Sequence, residues 1–254
     1  MKSLRPLLFF VSMLLIVVLA GGCRSAQPES TGPRAIEGGP TATPPPTDTP
    51  APQSQGGEAQ AFFGEEFDNA LSGDWKEVLI YDEDISDPEK ATANAGNGKL
   101  SWNIDTKDFA HYLFYGAYSY DDVKLEVSAD NRGVNNTTVS LICRADPEVG
   151  WYQFSVTNSG LYEIRYIEKL AEGKFKKNHI ANGGSMAIKQ GKGVNEYGAT
   201  CQGDRLTLYI NGEKVASLQE TSFAVREGQV GVGVASTNSL PVSVDIDWFK
   251  VTAP

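Results

Sequence analysis

The sequence predicts an all-β domain over residues 61–254, built as a jelly-roll sandwich of two antiparallel sheets. Three observations carry that expectation. Apolar side chains recur at every second position in many short runs, the period that gathers them on one face of a strand. Clusters of glycine, proline, asparagine and aspartate separate the runs at regular intervals, the pattern of a sandwich of short strands. No stretch of ten residues has a convincing helical period, and Glu168–Phe175 is the best short candidate.

Taken in order, Phe62, Phe63 and Phe67 open the domain, and Trp75–Tyr81 follows as a strand. The acidic stretch Asp82–Glu89, punctuated by Pro88, reads as a loop, and Asn94–Gly98 as a glycine-rich turn. In Lys99–Ile104, Leu100, Trp102 and Ile104 share a face; Ala110–Tyr115 is densely aromatic. Val123, Leu125 and Val127 then alternate with Lys124, Glu126 and Ser128, a half-buried strand. Val139, Leu141 and Cys143 make one face of the next, with Ser140, Ile142 and Arg144 on the other. Beyond Asp146-Pro147-Glu148, Tyr152, Phe154 and Val156 oppose Trp151, Gln153 and Ser155. After Asn158-Ser159-Gly160, Tyr162, Ile164 and Tyr166 oppose Glu163 and Arg165. Phe175–Ile180 is a further strand, and residues 182–192 are looser. In Leu206–Ile210, Leu206, Leu208 and Ile210 alternate with Thr207 and Tyr209. Asn211-Gly212 then supplies the two positive φ angles of a tight hairpin, with Val215 and Leu218 returning. Phe223 anchors a crossing loop, Val230, Val232 and Val234 are spaced by Gly231 and Gly233, and Val242, Val244, Ile246 and Trp248 close the chain.

Residues 1–22 read as a targeting segment instead: Lys2 and Arg5 give a positive start, and the run from Leu7 to Leu19 is almost wholly apolar, short of the ~20 residues of a comfortable membrane span. Ala20-Gly21-Gly22 before Cys23 resembles the lipobox of bacterial lipoproteins, which implies a diacylated Cys23 at the mature N-terminus; Ala20 stands where the usual leucine would. Residues 24–60 hold eight of the 13 prolines and no aromatic residue. Such a segment buries too little apolar area to offset the entropy of ordering it. It is expected to be a disordered linker, a stalk reaching on the order of 100 Å from the membrane at ~3.1 Å per residue. The chain is therefore expected at the extracytoplasmic face of a cell membrane, held there by its lipid alone.

The net charge of −10 becomes −12 once Lys2 and Arg5 leave with the targeting segment, which excludes nucleic acid as a partner because that needs a basic face. With Cys23 taken by lipid, Cys143 and Cys201 remain in an exported domain, where thiols oxidise, and a Cys143–Cys201 disulfide is expected. Neither has a second ligand at metal-binding spacing. His111 and His179 are isolated, and no serine sits in a nucleophile elbow.

A binding surface is the reading with the best raw material. If Tyr152, Phe154, Val156, Tyr162, Ile164 and Tyr166 face the core, then Trp151, Gln153, Glu163 and Arg165 face outward, with Arg144 beside them on the preceding strand. A tryptophan ring stacks on a pyranose face, and planar polar groups fork onto sugar hydroxyls.

The Phe67-Asp68 opening followed by Trp75, and Leu100-Ser101-Trp102, are similar to the start of concanavalin A-like lectin/glucanase domains. Ile142-Cys143-Arg144, the Trp151–Ser155 strand and Gly160-Leu161-Tyr162 resemble their middle. The run from Cys201 to Leu206, Tyr209–Gly212 and Val244–Phe249 resemble their end. The resemblance covers nearly all of 62–252 and implies the jelly-roll fold, with functions that span sugar binding, glycoside hydrolysis and laminin G-like contacts to a surface protein. It implies no cofactor for the chemistry. Relatives often hold a structural Ca²⁺ where first and last strands meet, which here nominates Asp68 and Asp247. The laminarinase-type glucanases carry their carboxylates on one strand as Glu-x-Asp-x-x-Glu, and no such spacing occurs in this chain. The expectation is a carbohydrate-binding protein of the cell surface, with a glycoside-active enzyme or a protein-binding module as the alternatives.

Overall fold

The computed structural model describes residues 61–254; the targeting segment, Cys23 and the proline-rich linker lie outside the described residues. Fifteen strands run in chain order: β1 (Phe63–Glu65), β2 (Trp75–Tyr81), β3 (Ala91–Ala95), β4 (Leu100–Ile104), β5 (Phe109–Tyr120), β6 (Val123–Asn131), β7 (Thr138–Asp146), β8 (Gly150–Thr157), β9 (Leu161–Lys169), β10 (Phe175–Gly184), β11 (Gly193–Gln202), β12 (Arg205–Ile210), β13 (Glu213–Gln219), β14 (Gly228–Ala235) and β15 (Val242–Thr252). Two short 3₁₀ turns, Pro88–Lys90 and Ala171–Gly173, interrupt them, the second inside the stretch that came nearest to a helical pattern.

All pairings are antiparallel. One sheet has the order β13-β12-β11-β6-β15-β4-β3, with β1 also paired to β15; the other has the order β10-β9-β8-β7-β14-β5-β2. The inner faces meet in a single core. Leu100, Trp102, Leu125, Val127, Leu208, Val244 and Ile246 come from the first sheet, and Leu141, Tyr152, Phe154, Ile164, Val230 and Val232 from the second. Each such side chain stabilises the fold by about 1.5–3 kcal/mol relative to exposure. The period of two read along β6, β8, β9, β12 and β14, and along β15 as far as Ile246, is what puts them there; a bulge after Ile246 then turns Phe249 and Val251 into the core in place of the expected Trp248.

Local chemistry fixes the turns. Asn211 and Gly212 take φ of 50° and 81° between β12 and β13, as the hairpin signal requires. Phe223 stacks on Tyr166 at 4.4 Å and 21°, seating the loop that crosses from β13 to β14. Cys143 on β7 and Cys201 on β11 form the expected disulfide and tie the two sheets across the core.

Candidate functional site

The outer face of the β10-to-β2 sheet carries a cleft of about 1640 Å³. Its floor follows from cross-strand register. One row places Tyr112, Gly233, Ser140, Ser155, Glu163 and Asn182 side by side across β5, β14, β7, β8, β9 and β10. The adjacent row places Phe114, Gly231, Ile142, Gln153, Arg165 and His179. Gln153, Glu163 and Arg165 line the cleft as the alternation predicts, joined by Tyr112, Ser155 and Thr157.

Two expected ligand contacts are corrected. Trp151 does point away from Tyr152 and Phe154, but it is fully buried. The rings of Phe114, Phe175 and Tyr112 stand 5.2, 5.6 and 5.8 Å from it, and Ile142 and Ile167 complete a second apolar cluster on this face. The physical cause lies in β14: its valines fill the core, so its glycines face outward and leave room for rings from β5. A Cβ on Gly233 would run into the Tyr112 ring. Trp151 is the underside of the site and has no surface for stacking on a sugar.

Arg144 leaves the sheet face altogether. The register of β7 against β8 breaks between Cys143 and Asp146, and Arg144 takes φ of 51°. Its buried guanidinium donates from Nε to Asp121 O at 2.9 Å and from Nη1 to Val225 O at 3.1 Å, with Asp122 Oδ1 3.5 Å from Nη2. It braces two loops and touches no part of the cleft floor.

The floor is a wired polar network. Trp151 Nε1 donates to Gln153 Oε1 at 3.2 Å; Gln153 Nε2 donates to Ser155 Oγ at 2.8 Å and Ser140 Oγ at 3.3 Å. Arg165 donates to Glu163, and His179 Nδ1 lies 3.3 Å from the other Glu163 oxygen. Burial works to raise the Glu163 carboxyl, but the hydrogen bonds from Arg165 and His179 outweigh it and hold the group below the usual carboxylate range. Burial pushes the Tyr112 phenol up to about 12, against the hydrogen bond from Gln153 and the charge of Arg165. The other acids lining the cleft, Asp82, Glu83, Asp108 and Glu172, come from loops and turns.

The implied cation site is not gathered. Asp247 accepts from Ser128 Oγ at 3.0 Å, and Asp68 is exposed beside the Gly98 turn. Among the described residues no group of three or more His, Cys, Asp or Glu could hold a metal. These residues do not fit the charged oxygen cage that Ca²⁺ favours.

Sequence reasoning missed Tyr112 and Phe175 as parts of this face. The Val-Gly-Val-Gly-Val spacing of β14 was the available signal, since two outward glycines invite neighbouring rings to lie across them.

No family model matches the chain, and no curated protein sequence matches it. Solved structures do. The chain is similar to the Bacteroides ovatus mixed-linkage glucan GH16 protein in complex with a G4G4G3G product, with a TM-score of 0.55 at 11% identity over 75% of this chain and 99% of that one. It is similar to the Bacillus licheniformis β-glucanase, with a TM-score of 0.54 at 12% identity over 78% and 100%. It is also similar to a prokaryotic β-1,3-1,4-glucanase (lichenase) derived from a mouse hindgut metagenome, with a TM-score of 0.54 at 12% identity over 76% and 99%. At such identity the likeness is one of fold: residues 61–254 form the two-sheet antiparallel jelly roll that these glucanases have.

Proposed function

We propose that this chain is a lipid-anchored extracytoplasmic protein that binds a glycan in the cleft over β8, β9 and β10 without hydrolysing it. One observation carries the reading: a large cleft whose floor combines half-buried aromatic rings with a pre-ordered set of planar polar groups, Gln153, Glu163 and Arg165. Aromatic bodies with a few convergent polar groups are the make-up of a sugar site. The glucanase neighbours support the same ligand class by analogy of fold.

Their names also favour glycoside hydrolysis as a second reading. Retaining hydrolysis needs two carboxylates ~5–5.5 Å apart, one of them kept protonated as the general acid. On the floor strands Glu163 is the carboxylate that lines the cleft, and its environment stabilises the charged form, the wrong direction for an acid. Binding is therefore preferred.

The test is calorimetry of the purified full-length protein against a panel of soluble glycans, with release of reducing ends measured on the same samples. Binding without release is expected, and Arg165→Ala should weaken it about tenfold. Release abolished by Glu163→Gln would establish the enzyme instead. A blank panel would remove the glycan reading in favour of a surface protein partner.

A further inference from the structure

The hydrogen bonds of the cleft floor have a direction. The Trp151 indole can only donate, so Gln153 turns Oε1 toward it and Nε2 away, onto the hydroxyls of Ser155 and Ser140. Those hydroxyls are 3.0 Å apart, and either could donate to the other. Burial breaks the tie. Ser140 has no exposed surface, so its proton goes to Ser155 Oγ, because a buried hydroxyl keeps a partner. Ser155 then accepts twice, from Gln153 and from Ser140, and both its lone pairs are filled. Its own proton is what remains, and Ser155 lines the cleft.

The surroundings have the same polarity. Glu163 has one oxygen against Arg165 and the other against His179. Arg165 is engaged through Nη2 alone among the described residues, which leaves its other N–H groups for a ligand. Lys177 lines the cleft two residues from His179 and has no acidic partner among the described residues. The floor therefore presents three donors with protons to give: the Ser155 hydroxyl, Arg165 and Lys177.

We infer that the cleft selects glycans whose sugars carry a carboxylate, uronic acid residues, over neutral ones, with one carboxylate received by Ser155 Oγ and Arg165 and that of another sugar by Lys177. The inference rests on the glycan-binding reading above. A carboxylate only accepts, and its bonds to charged donors are stronger than those of a neutral sugar hydroxyl. Asp82 and Glu83 line the cleft from beyond β2 and Asp108 from just before β5, at the opposite edge of the sheet from β10, and Glu172 is paired with Lys174 at 3.1 Å. The negative charge of the whole chain is screened beyond ~8 Å at physiological ionic strength.

The experiment is calorimetry of the full-length protein with tetrasaccharides of galacturonic or glucuronic acid and with neutral β-glucan tetrasaccharides, at low and physiological salt. The uronates should bind at least about tenfold tighter. Ser155→Ala and Arg165→Gln should each bring that ratio toward one. Trp151→Phe, which removes the N–H that orients Gln153 together with part of the buried ring, should lower the ratio from beneath the floor. Neutral tetrasaccharides binding as well as uronates would overturn the inference while leaving glycan binding intact. A preference untouched by both Ser155→Ala and Arg165→Gln would overturn it as well. If no saccharide binds at all, the glycan reading itself fails, and this inference with it.

Discussion

Arg144 shows how a single bulged residue changes role. By period it belongs on the outer face, yet at φ 51° its side chain goes under the loops at Asp121–Asp122 and Val225. Beside it Tyr152 donates to the buried Glu220 carboxylate, which also accepts from the backbone of Ser222 at 2.6 Å and Phe223 at 3.0 Å. Arg144→Ala leaves two carbonyls without partners, so unfolding free energy should fall by about 3 kcal/mol in urea titrations, with glycan affinity unchanged. A loss of affinity at constant stability would return Arg144 to the binding surface. His111 is the other residue with a measurable signature. It lies in the core at the edges of the Trp102 and Phe109 rings, 6.1 and 6.4 Å away, with Glu77 beside Nε2. Burial lowers its pKa, and the Glu77 carboxylate only partly opposes this. The neutral ring is the form that folds, so its contribution is complete above the unfolded value of about 6.5 and is lost as pH falls from there toward the folded value. Glu163, Glu220 and Asp245, all held below their usual values, add a second loss at more acidic pH, as it falls through their folded values. Denaturation midpoints between pH 7.5 and 3 should therefore decline, and His111→Leu should flatten the upper part of that decline while leaving the acid part.

At the scale of elements, what could be read in the sequence was set by whether a strand is buried on one face or two. β6 and β12 alternate cleanly, and the pattern over Trp75–Tyr81 matches the bounds of β2. β8 is buried along nearly its whole length, so alternation gave the two faces correctly but not that the second face is also covered. That is why alternation places Gln153, Glu163 and Arg165 on the cleft but gives Trp151 a surface it lacks. β3, Ala91–Ala95, carries small residues at an edge and has no hydrophobic period to announce it; its last residues were read as part of a turn. The covering of Trp151 depends on β14, which yields a prediction. Gly233→Val adds a side chain where the Tyr112 ring lies. Overpacking of this kind costs about 1–3 kcal/mol, and the displaced ring takes the Tyr112 hydroxyl away from Gln153 and Arg165. Stability should drop by that amount and glycan affinity at least about tenfold, whereas Gly231 and Gly233 left intact with Val232→Ala should lower stability alone. Equal loss of affinity in both variants would mean that the rings over β14 do not order the floor.

For the whole molecule, the question is where the cleft stands relative to the proposed anchor. The described chain begins at Ala61, whose carbonyl accepts from Tyr120 Oη at 2.6 Å, and β1 then pairs with the C-terminal half of β15. Tyr120 is the last residue of β5, while Tyr81, Asp108 and Phe109 line the cleft where β5 starts and β2 finishes. Ala61 thus lies at one end of β5, and the cleft reaches the other. In the lipid-anchored reading proposed above, residues 24–60 set how far the domain can reach from the membrane. Three variants separate the parts. Cys23→Ser should move the protein from the membrane fraction to the soluble one with glycan affinity unchanged, since no described residue of the cleft depends on the lipid. Deleting residues 28–52 should leave affinity for a tetrasaccharide unchanged but reduce capture of a long glycan by intact cells, because a shortened tether brings the domain closer to the surface layers that a polymer cannot penetrate. Extending the linker by the same number of Gly/Ser residues should preserve capture. Undiminished capture after the deletion would mean that the linker sets no distance. Membrane retention of Cys23→Ser would mean that the anchor is the apolar run from Leu7 to Leu19 rather than a lipid.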